Sequence, residues 1–296
     1  MQKIKILTDS TCDITKEDEK RLGIKVMCFP VTVDGESYRE RLDFTNEQFY
    51  KMMDNAKEMP KTSQLTSFEI LEVYKSLYEE GWTDVIYVTI SSTGSATYKN
   101  AIHAAEEFRK EVSEPKGKEM RIHVVDSKNY TAVYGYPVMQ AALKAQKGES
   151  PDEILDYLHS WFECAEVHFV PMTLKYVKKS GRVTAAAAFA GELLGLKPLI
   201  KIAQGESTVM EKIRGEKNII PKLLAAAEKA MTPQTPYVIV KGSDSTLPDI
   251  LAEEMTNKFG YPPEYICQIG AAVSCNAGHN VVGFVIKGRN IKKITQ

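Results

Sequence analysis

The sequence lacks the residue spacings that hold crosslinks or metal ions. Its five cysteines are odd in number and form no C-x-x-C pair, so neither a disulfide framework nor a zinc site is predicted. Its five histidines are scattered, without a pair at the helical spacing of metal ligands. We therefore expect no metal site and no cofactor.

Excess charge and long apolar runs are absent as well. The formal net charge is −1, which gives no general attraction to nucleic acid or to anionic membranes. No stretch approaches the length of a membrane span, and the start Met1-Gln2-Lys3-Ile4 contains no signal-like apolar segment. We expect a cytoplasmic protein without a nucleic-acid partner or a stable membrane anchor.

The common enzymatic motifs are also missing. The sequence contains neither G-x-x-x-x-G-K-[ST] nor G-x-G-x-x-G, and no convincing catalytic triad. Cys12, close to Asp9-Ser10, is a conceivable nucleophile, but no neighbouring histidine is evident and a packed thiol is the favoured interpretation. The sequence therefore favours a binding protein over an enzyme.

The composition and the order of patterns indicate an α/β protein. The 296 residues are 43% hydrophobic and 26% charged, and short β-branched runs alternate with segments of helical period. The pattern changes character near residue 166. We predict an N-terminal domain, residues 1–165, with a mostly parallel sheet flanked by helices, and a C-terminal domain, residues 166–296, with a mixed α/β sheet.

A hydroxyl-rich loop, residues 91–98, is the most informative stretch. An apolar run, Val85–Ile90, predicts a strand before it, and Ala101–Phe108 predicts a helix after it. The first turn of such a helix has free N–H groups and partial positive charge, which suits a carboxylate or a phosphate. Gly94 permits close backbone approach. The alternative is that the hydroxyls only cap the helix.

Two further strands are predicted to end beside this loop. Asp9-Ser10 and Asp126-Ser127 each follow an apolar strand, and the carboxyl ends of parallel strands meet at one edge of a sheet. These acids could also do no more than cap turns. A second hydroxyl cluster, Thr62-Ser63, precedes a helix whose capping box is Thr66 with Glu69. Near the end of the chain, residues 274–280 are predicted to form a loop.

Taken together, these stretches resemble the DegV family, bacterial fatty-acid-binding proteins with two α/β domains. The stretches that carry the resemblance span nearly the whole chain: Thr8-Asp9-Ser10-Thr11-Cys12-Asp13, Thr62-Ser63-Gln64, Ile90-Ser91-Ser92 with Ser95 and Thr97-Tyr98, Val125-Asp126-Ser127, Thr173-Leu174-Lys175-Tyr176 running to Gly181-Arg182, and Leu196-Lys197-Pro198.

The resemblance implies a long-chain fatty acid as the ligand. Its acyl chain would lie inside the N-terminal domain and its carboxylate near the domain interface, where a separate ATP-dependent fatty acid kinase would phosphorylate it. The residues implied to bind the carboxylate are Thr62, Ser63, Ser92, Ser95, Arg182 and Asn276. The implied supporting polar residues are Asp9, Ser10, Gly94, Asp126 and Ser127.

Two departures from the family pattern affect these expectations. The family's loop usually reads Ser-Ser-x-Leu-Ser-Gly-Thr, whereas Gly94 stands here for the leucine and Ala96 for the glycine. The family's His-x-Gly-Pro-Gly motif is replaced by residues 276–280, with Asn276 at the histidine's place. Asparagine carries no charge, and His279 would substitute only if the loop refolded.

Three functional hypotheses follow from these patterns. The first is a carrier that presents the fatty acid to a kinase, with Lys178, Lys179 and Arg182 on the partner surface. The second is a lipid carrier or sensor without that partner, which the missing imidazole favours. The third is an enzyme on the same fold that acts on another small anion. The alternative for Arg182 itself is a surface or interdomain ion pair.

Overall fold

The computed structural model describes residues 2–112, 119–184 and 195–289. The strands are β1 Ile4–Asp9, β2 Lys25–Met27, β3 Pro30–Val33, β4 Glu36–Arg39, β5 Lys61–Thr62, β6 Asp84–Thr89, β7 Arg121–Asp126, β8 Ala165–Pro171, β9 Leu196–Ala203, β10 Glu206–Arg214, β11 Tyr237–Lys241, β12 Ile266–Gln268 and β13 Val281–Lys287. The α-helices are α1 Lys16–Leu22, α2 Asn46–Asn55, α3 Ser67–Glu79, α4 Thr97–Glu111, α5 Ala132–Gln146, α6 Pro151–Phe162, α7 Lys175–Ser180, α8 Ile219–Ala230, α9 Thr246–Phe259 and α10 Ala271–Ala277.

The first half of the chain builds a parallel sheet of four strands in the order β2-β1-β6-β7. The strand β6 is buried along its whole length because helices cover both faces of such a sheet. Thr89 at the end of β6 pairs with Asp126 at the end of β7, so the polar strand ends do gather at one edge. A small antiparallel sheet, β4-β3-β5, lies beside this unit.

The second half builds a mixed sheet of six strands in the order β10-β9-β8-β13-β11-β12. Only β11 and β12 run parallel, while the other neighbours are antiparallel. The predicted α/β class with one parallel and one mixed sheet is confirmed. The six-stranded sheet begins at Ala165, next to the predicted division between residues 165 and 166, which itself stays a prediction.

Local sequence signals explain the starts of α2, α3 and α6. Thr45 with Gln48, Thr66 with Glu69, and Ser150 with Glu153 each form a capping box, and Pro151 occupies the first turn of α6. The sequence has a run of four alanines, residues 185–188, which predicts close helix packing or room for an apolar ligand chain, but this run lies outside the described residues. No helix in the described ranges has the length and apolar character needed to cross a membrane.

The prediction of a loop over residues 274–280 is wrong for its first half, because α10 extends to Ala277. Two buried carboxyl groups from the first half of the chain hold the start of this helix. Asp13 Oδ1 accepts from the Gly270 N–H at 2.8 Å, and Glu40 Oε1 accepts from the Ala272 N–H at 2.9 Å. These bonds fix α10, a helix of the second half, against the first half of the molecule.

Candidate functional site

A cavity of about 520 Å³ lies between the loops that follow the parallel strands and one face of the six-stranded sheet. Its volume falls within the roughly 300–1,000 Å³ typical of small-molecule sites. Several of the residues at its polar side are solvent-exposed, among them Ser63, Thr93 and Arg182, so the cavity opens to the surface there. No carboxylate side chain lines the cavity within the described ranges.

The apolar wall of the cavity comes mainly from the second half of the chain. One face of the six-stranded sheet contributes Val167, Phe169, Ile202, Val240 and Val281, and α10 adds Ala272, Val273 and Ala277. The first half contributes few large apolar side chains, Phe29 and Ile90. The predicted location of the acyl chain inside the N-terminal domain stays a prediction, but this lining favours the face of the second sheet.

The hydroxyl loop borders the polar side of the cavity, directly before α4. The N-cap residue of α4 is Ala96, which offers no side-chain hydrogen bond, and no acidic residue occupies the first turn. Ser95 Oγ lies 3.0 Å from Thr97 Oγ1 and accepts from the Thr97 N–H at 3.3 Å. Ser95 Oγ thus satisfies one N–H of the first helical turn, so the interpretation that these hydroxyls cap the helix stays a prediction beside that of an anion site. A helix start without a capping side chain attracts anions.

The acidic strand ends support the loop from behind and do not line the cavity. Asp126 accepts from the Ser92 N–H at 3.0 Å and from Ser92 Oγ at 2.5 Å. Asp9, fully buried, accepts from the Ile90 N–H at 2.8 Å and from Tyr134 Oη at 2.6 Å. Burial raises the pKa of Asp9, while its hydrogen bonds act in the opposite direction. Both acids thus position the loop. The hydroxyl hydrogen of Ser92 is donated to Asp126 and is therefore not available to a ligand.

The remaining supporting serines are likewise engaged away from the cavity. Ser10 Oγ donates to Glu40 at 2.5 Å and accepts from the Phe29 N–H at 2.9 Å. Ser127 Oγ donates to the Asn129 carbonyl at 3.2 Å. Both serines are buried, so their contribution is to hold the backbone that carries the site.

Thr62 and Ser63 line the cavity. Thr62 ends the short strand β5, and the Ser63 N–H donates to the Pro30 carbonyl at 3.1 Å. Helix α4 is tied to the same segment, because Asn100 Nδ2 donates to the Leu65 carbonyl at 2.6 Å. These bonds place the second hydroxyl cluster beside the first.

Arg182 reaches from the second half of the chain to the hydroxyl loop. Its Nε donates to the Gly94 carbonyl at 3.3 Å, and its Nη1 donates to the Ser180 carbonyl at 2.9 Å. Both partners are neutral carbonyl groups, and no acidic side chain of the described segments pairs with it. Among the described residues Arg182 therefore forms no ion pair. Its guanidinium group lines the mouth of the cavity.

Asn276 lines the cavity, whereas His279 does not. The Asn276 Nδ2 atom donates to the Ala272 carbonyl at 2.8 Å within α10, which leaves the amide oxygen without a described partner. His279 lies between Ser243 Oγ, 2.9 Å from Nδ1, and Asp54 Oδ1, 2.8 Å from Nε2. His279 therefore serves contacts outside the cavity and does not replace an imidazole at position 276.

The glycine at position 94 has a physical reason in this chain. A Cβ atom there would lie 2.8 Å from Cε1 of Tyr130, so a larger residue at this position would require the end of the Tyr130 side chain to shift. Tyr130 follows β7 and lines the cavity, so its ring occupies the space next to position 94. Where the family has a leucine, this chain thus has a glycine, and the ring of Tyr130, from the loop after β7, occupies the space beside it.

The described residues form neither an activated cysteine nucleophile nor a metal site. Cys12 is completely buried, and burial raises the pKa of its thiol, so the packed-thiol interpretation fits its surroundings. No group of three or more potential metal-binding side chains was found among the residues with described positions.

The relationship to known proteins agrees with this geometry. A family model described as uncharacterised protein, DegV family, matches residues 3–288. The chain belongs to the DegV family. A DegV domain-containing protein of Caldanaerobacter subterraneus subsp. tengcongensis is 33% identical over 220 residues, which are 74% of this chain and 75% of that relative.

Solved DegV structures share the whole architecture. A DegV family protein from Thermus thermophilus, described by its fatty acid binding, has 28% identity and a TM-score of 0.84 over 96% of this chain and 99% of its own. A Thermotoga maritima protein described as having a fatty acid binding function has 26% identity and a TM-score of 0.81, over 97% of this chain and 100% of its own.

Several cavity residues of this DegV chain were not predicted from the sequence. Lys99, on the first turn of α4, and Tyr130 line the cavity, as do Gln64, Thr93 and Ser180. The position of Lys99 directly after the hydroxyl loop was a signal that could have identified it. Tyr130 gave no such signal, because its approach to Gly94 depends on the pairing of β6 with β7.

Proposed function

We propose that this DegV protein binds a long-chain fatty acid, with the acyl chain along the apolar face of the six-stranded sheet and the carboxylate at the hydroxyl loop. The observation that carries the proposal is the asymmetry of the cavity. Its inner wall is aliphatic and aromatic, while its mouth has hydroxyl groups, an uncapped helix start, the guanidinium of Arg182 and no described carboxylate.

The energetics of such a ligand suit this division. Each buried methylene contributes about 0.8 kcal/mol, so a long chain supplies most of the affinity. A buried carboxylate without partners costs several kcal/mol, and this cost is offset where hydrogen-bond donors and a cation surround it. Thr62, Ser63 and Ser95 are the hydroxyl donors of the proposal, and Arg182 is its counter-charge. Solved relatives described as fatty acid binders support the same ligand class.

A cavity-filling variant tests the proposal by calorimetric titration of delipidated protein with oleate. Ala277→Leu adds bulk to the apolar wall, and we expect oleate affinity to fall at least about tenfold, the equivalent of about 1.4 kcal/mol. The matched control is Ala225→Leu, the same change on the exposed side of α8. Equal oleate affinity in all three proteins, with intact folds by circular dichroism, would contradict the proposed location of the chain.

Presentation of the carboxylate to a separate fatty acid kinase is the finer part of the proposal. The mouth of the cavity is exposed around Arg182, and Lys178 and Lys179 are exposed on the adjacent helix α7. A partner could therefore reach the head group without unfolding the site. The absence of an imidazole at position 276 favours the alternative, a carrier or sensor that is not coupled to phosphorylation.

These two alternatives differ in one assay. The protein loaded with radiolabelled oleate is mixed with a purified fatty acid kinase subunit and Mg-ATP, and acyl phosphate is trapped as the hydroxamate. Kinase coupling predicts product, and less product from Arg182→Ala. If the loaded protein yields none while a DegV relative from the kinase's own source does, the uncoupled carrier is the better description.

A further inference from the structure

The mouth of the cavity contains a second cation besides Arg182, the ammonium group of Lys99. Lys99 lies on the first turn of α4, two residues after Thr97, and lines the cavity together with Ser95 and Arg182. In the described parts of the chain, no carboxylate lies within ion-pairing distance of its ammonium group. It is therefore an unpaired charge at a site that contains no described acid.

The position of Lys99 is unfavourable for the helix itself. Partial positive charge at a helix start disfavours a cation in the first turn, and Asp or Glu is preferred there. Helix α4 has no acid in its first turn and no capping side chain, whereas its last turn contains Arg109 and Lys110, where cations are favourable. A bound anion would turn this local repulsion into attraction, since it would face both the ammonium group and the first free N–H groups.

The surroundings hold the first turn of α4 in place. Thr97 Oγ1 accepts from the Leu65 N–H at 3.3 Å, and Asn100 Nδ2 donates to the Leu65 carbonyl at 2.6 Å. These bonds anchor the residues on both sides of Lys99 to the segment that carries Thr62 and Ser63. On the other side of the loop, Arg182 contacts the Gly94 carbonyl. The two cations thus approach the hydroxyl loop from the two halves of the molecule.

We propose that Lys99 is a head-group-binding residue that, with Arg182, makes the mouth of the cavity selective for ionised lipids over neutral lipids of the same chain length. The inference rests on the proposed fatty-acid function. Arg182 is fixed by two carbonyl contacts, whereas the exposed and flexible Lys99 side chain adds charge without a fixed geometry. Its contribution is therefore electrostatic and sensitive to salt.

Titration with laurate and with dodecan-1-ol, an uncharged ligand of equal chain length, tests this role. We expect Lys99→Gln to weaken laurate binding about three- to fivefold at low salt, the size of an exposed charge interaction, with the loss shrinking at high salt. Binding of dodecan-1-ol should not change. Lys99→Arg should retain laurate affinity because it retains the charge. Lys110→Gln, the same change at the other end of α4, is the matched control and should behave like the wild type.

The outcomes separate the inference from the function on which it rests. Laurate affinity of Lys99→Gln equal to that of the wild type would overturn the role of Lys99 and leave fatty acid binding intact. Equal losses for laurate and dodecan-1-ol would also overturn it, because they would indicate altered packing. A wild-type protein that binds neither laurate nor oleate would overturn the proposed function itself, and the inference with it.

Discussion

Ser92 and Ser95 differ in what their hydroxyl hydrogens are able to do, although both line the cavity. Ser92 Oγ donates to Asp126 at 2.5 Å, so its hydrogen is committed to the protein. The hydroxyl of Thr97 is able to donate to Ser95 Oγ, which leaves the hydrogen of Ser95 for a ligand. The resemblance to the family grouped the two serines together, but their partners divide them into a supporting residue and a binding residue.

This difference predicts opposite results for the two alanine variants. Ser95→Ala should weaken oleate binding by about 1–3 kcal/mol, the cost of leaving a buried charged group without a donor, and should change the melting temperature little. Ser92→Ala should lower the melting temperature of the ligand-free protein, because Asp126 loses a donor, and should weaken oleate binding less. Titration calorimetry and thermal melts measure both effects. Equal oleate affinity in Ser95→Ala and the wild type would place the head group elsewhere.

Several side chains of the site could be predicted because their signals are local. A hydroxyl cluster between a strand and a helix indicates an anion site by its residue types alone, and the motif Gly181-Arg182 came with the resemblance. The role of Gly94 could not be predicted, since it depends on Tyr130, 36 positions away in the chain. Buried Glu40 was equally hidden, because the surrounding Arg39, Arg41 and Asp43 make it look like part of a charged surface turn.

Helix α10 depends on side chains that are distant in the sequence. Glu40 accepts from the Ala272 N–H, Asp13 accepts from the Gly270 N–H, and Tyr50 Oη donates to the Ile269 carbonyl. The stretch Ala271–Ala277 has no capping side chain of its own, and the sequence predicts a loop for its second half. Its helical form follows from contacts between the two halves of the chain. The seven residues of α10 alone contain no sequence signal that indicates such contacts.

The carboxyl group of Glu40 makes this contact dependent on pH. Burial is the main cause that raises the pKa of Glu40, and Asp13 next to it has a pKa raised by burial and by the charge of Glu40. Arg41 and the hydrogen bonds from Ser10 and Ala272 act in the opposite direction. Above the unfolded-state pKa of about 4.3, Glu40 thus binds more protons in the folded protein than in the unfolded chain.

Glu40→Gln should therefore remove part of the pH dependence of folding. The contribution of Glu40 to wild-type stability should decrease as pH rises from about 4.3 through the raised pKa of Glu40, since the slope of the unfolding free energy follows the protons bound in the unfolded state minus those in the folded state. The glutamine variant keeps the shape of the protonated acid, so its decrease should be smaller. Urea unfolding at several pH values compares the two. Parallel pH profiles would show that Glu40 is ionised in the folded protein at little cost.

The two sheets of the protein have different tasks in the proposed binding of a lipid. The ends of the parallel strands provide hydroxyl groups and backbone N–H groups, while the face of the mixed sheet provides apolar surface. The contacts that join them close to the mouth are polar, such as Thr93 Oγ1 donating to the Gly205 carbonyl at 3.1 Å. The polar edge could be predicted, because the carboxyl ends of parallel strands lie at the same edge of the sheet. The apolar wall could not, since it exists only once the two halves pack together.

Mass spectrometry of an organic extract from purified protein that has never been delipidated shows directly whether a fatty acid occupies the cavity. We expect one fatty acid per protein molecule in the extract of the wild type, and less from Ala277→Leu, whose cavity is smaller. Ala225→Leu should carry as much as the wild type. An extract without fatty acid, from protein that also fails to take up oleate when incubated with it, would contradict the account and favour a site for another small anion.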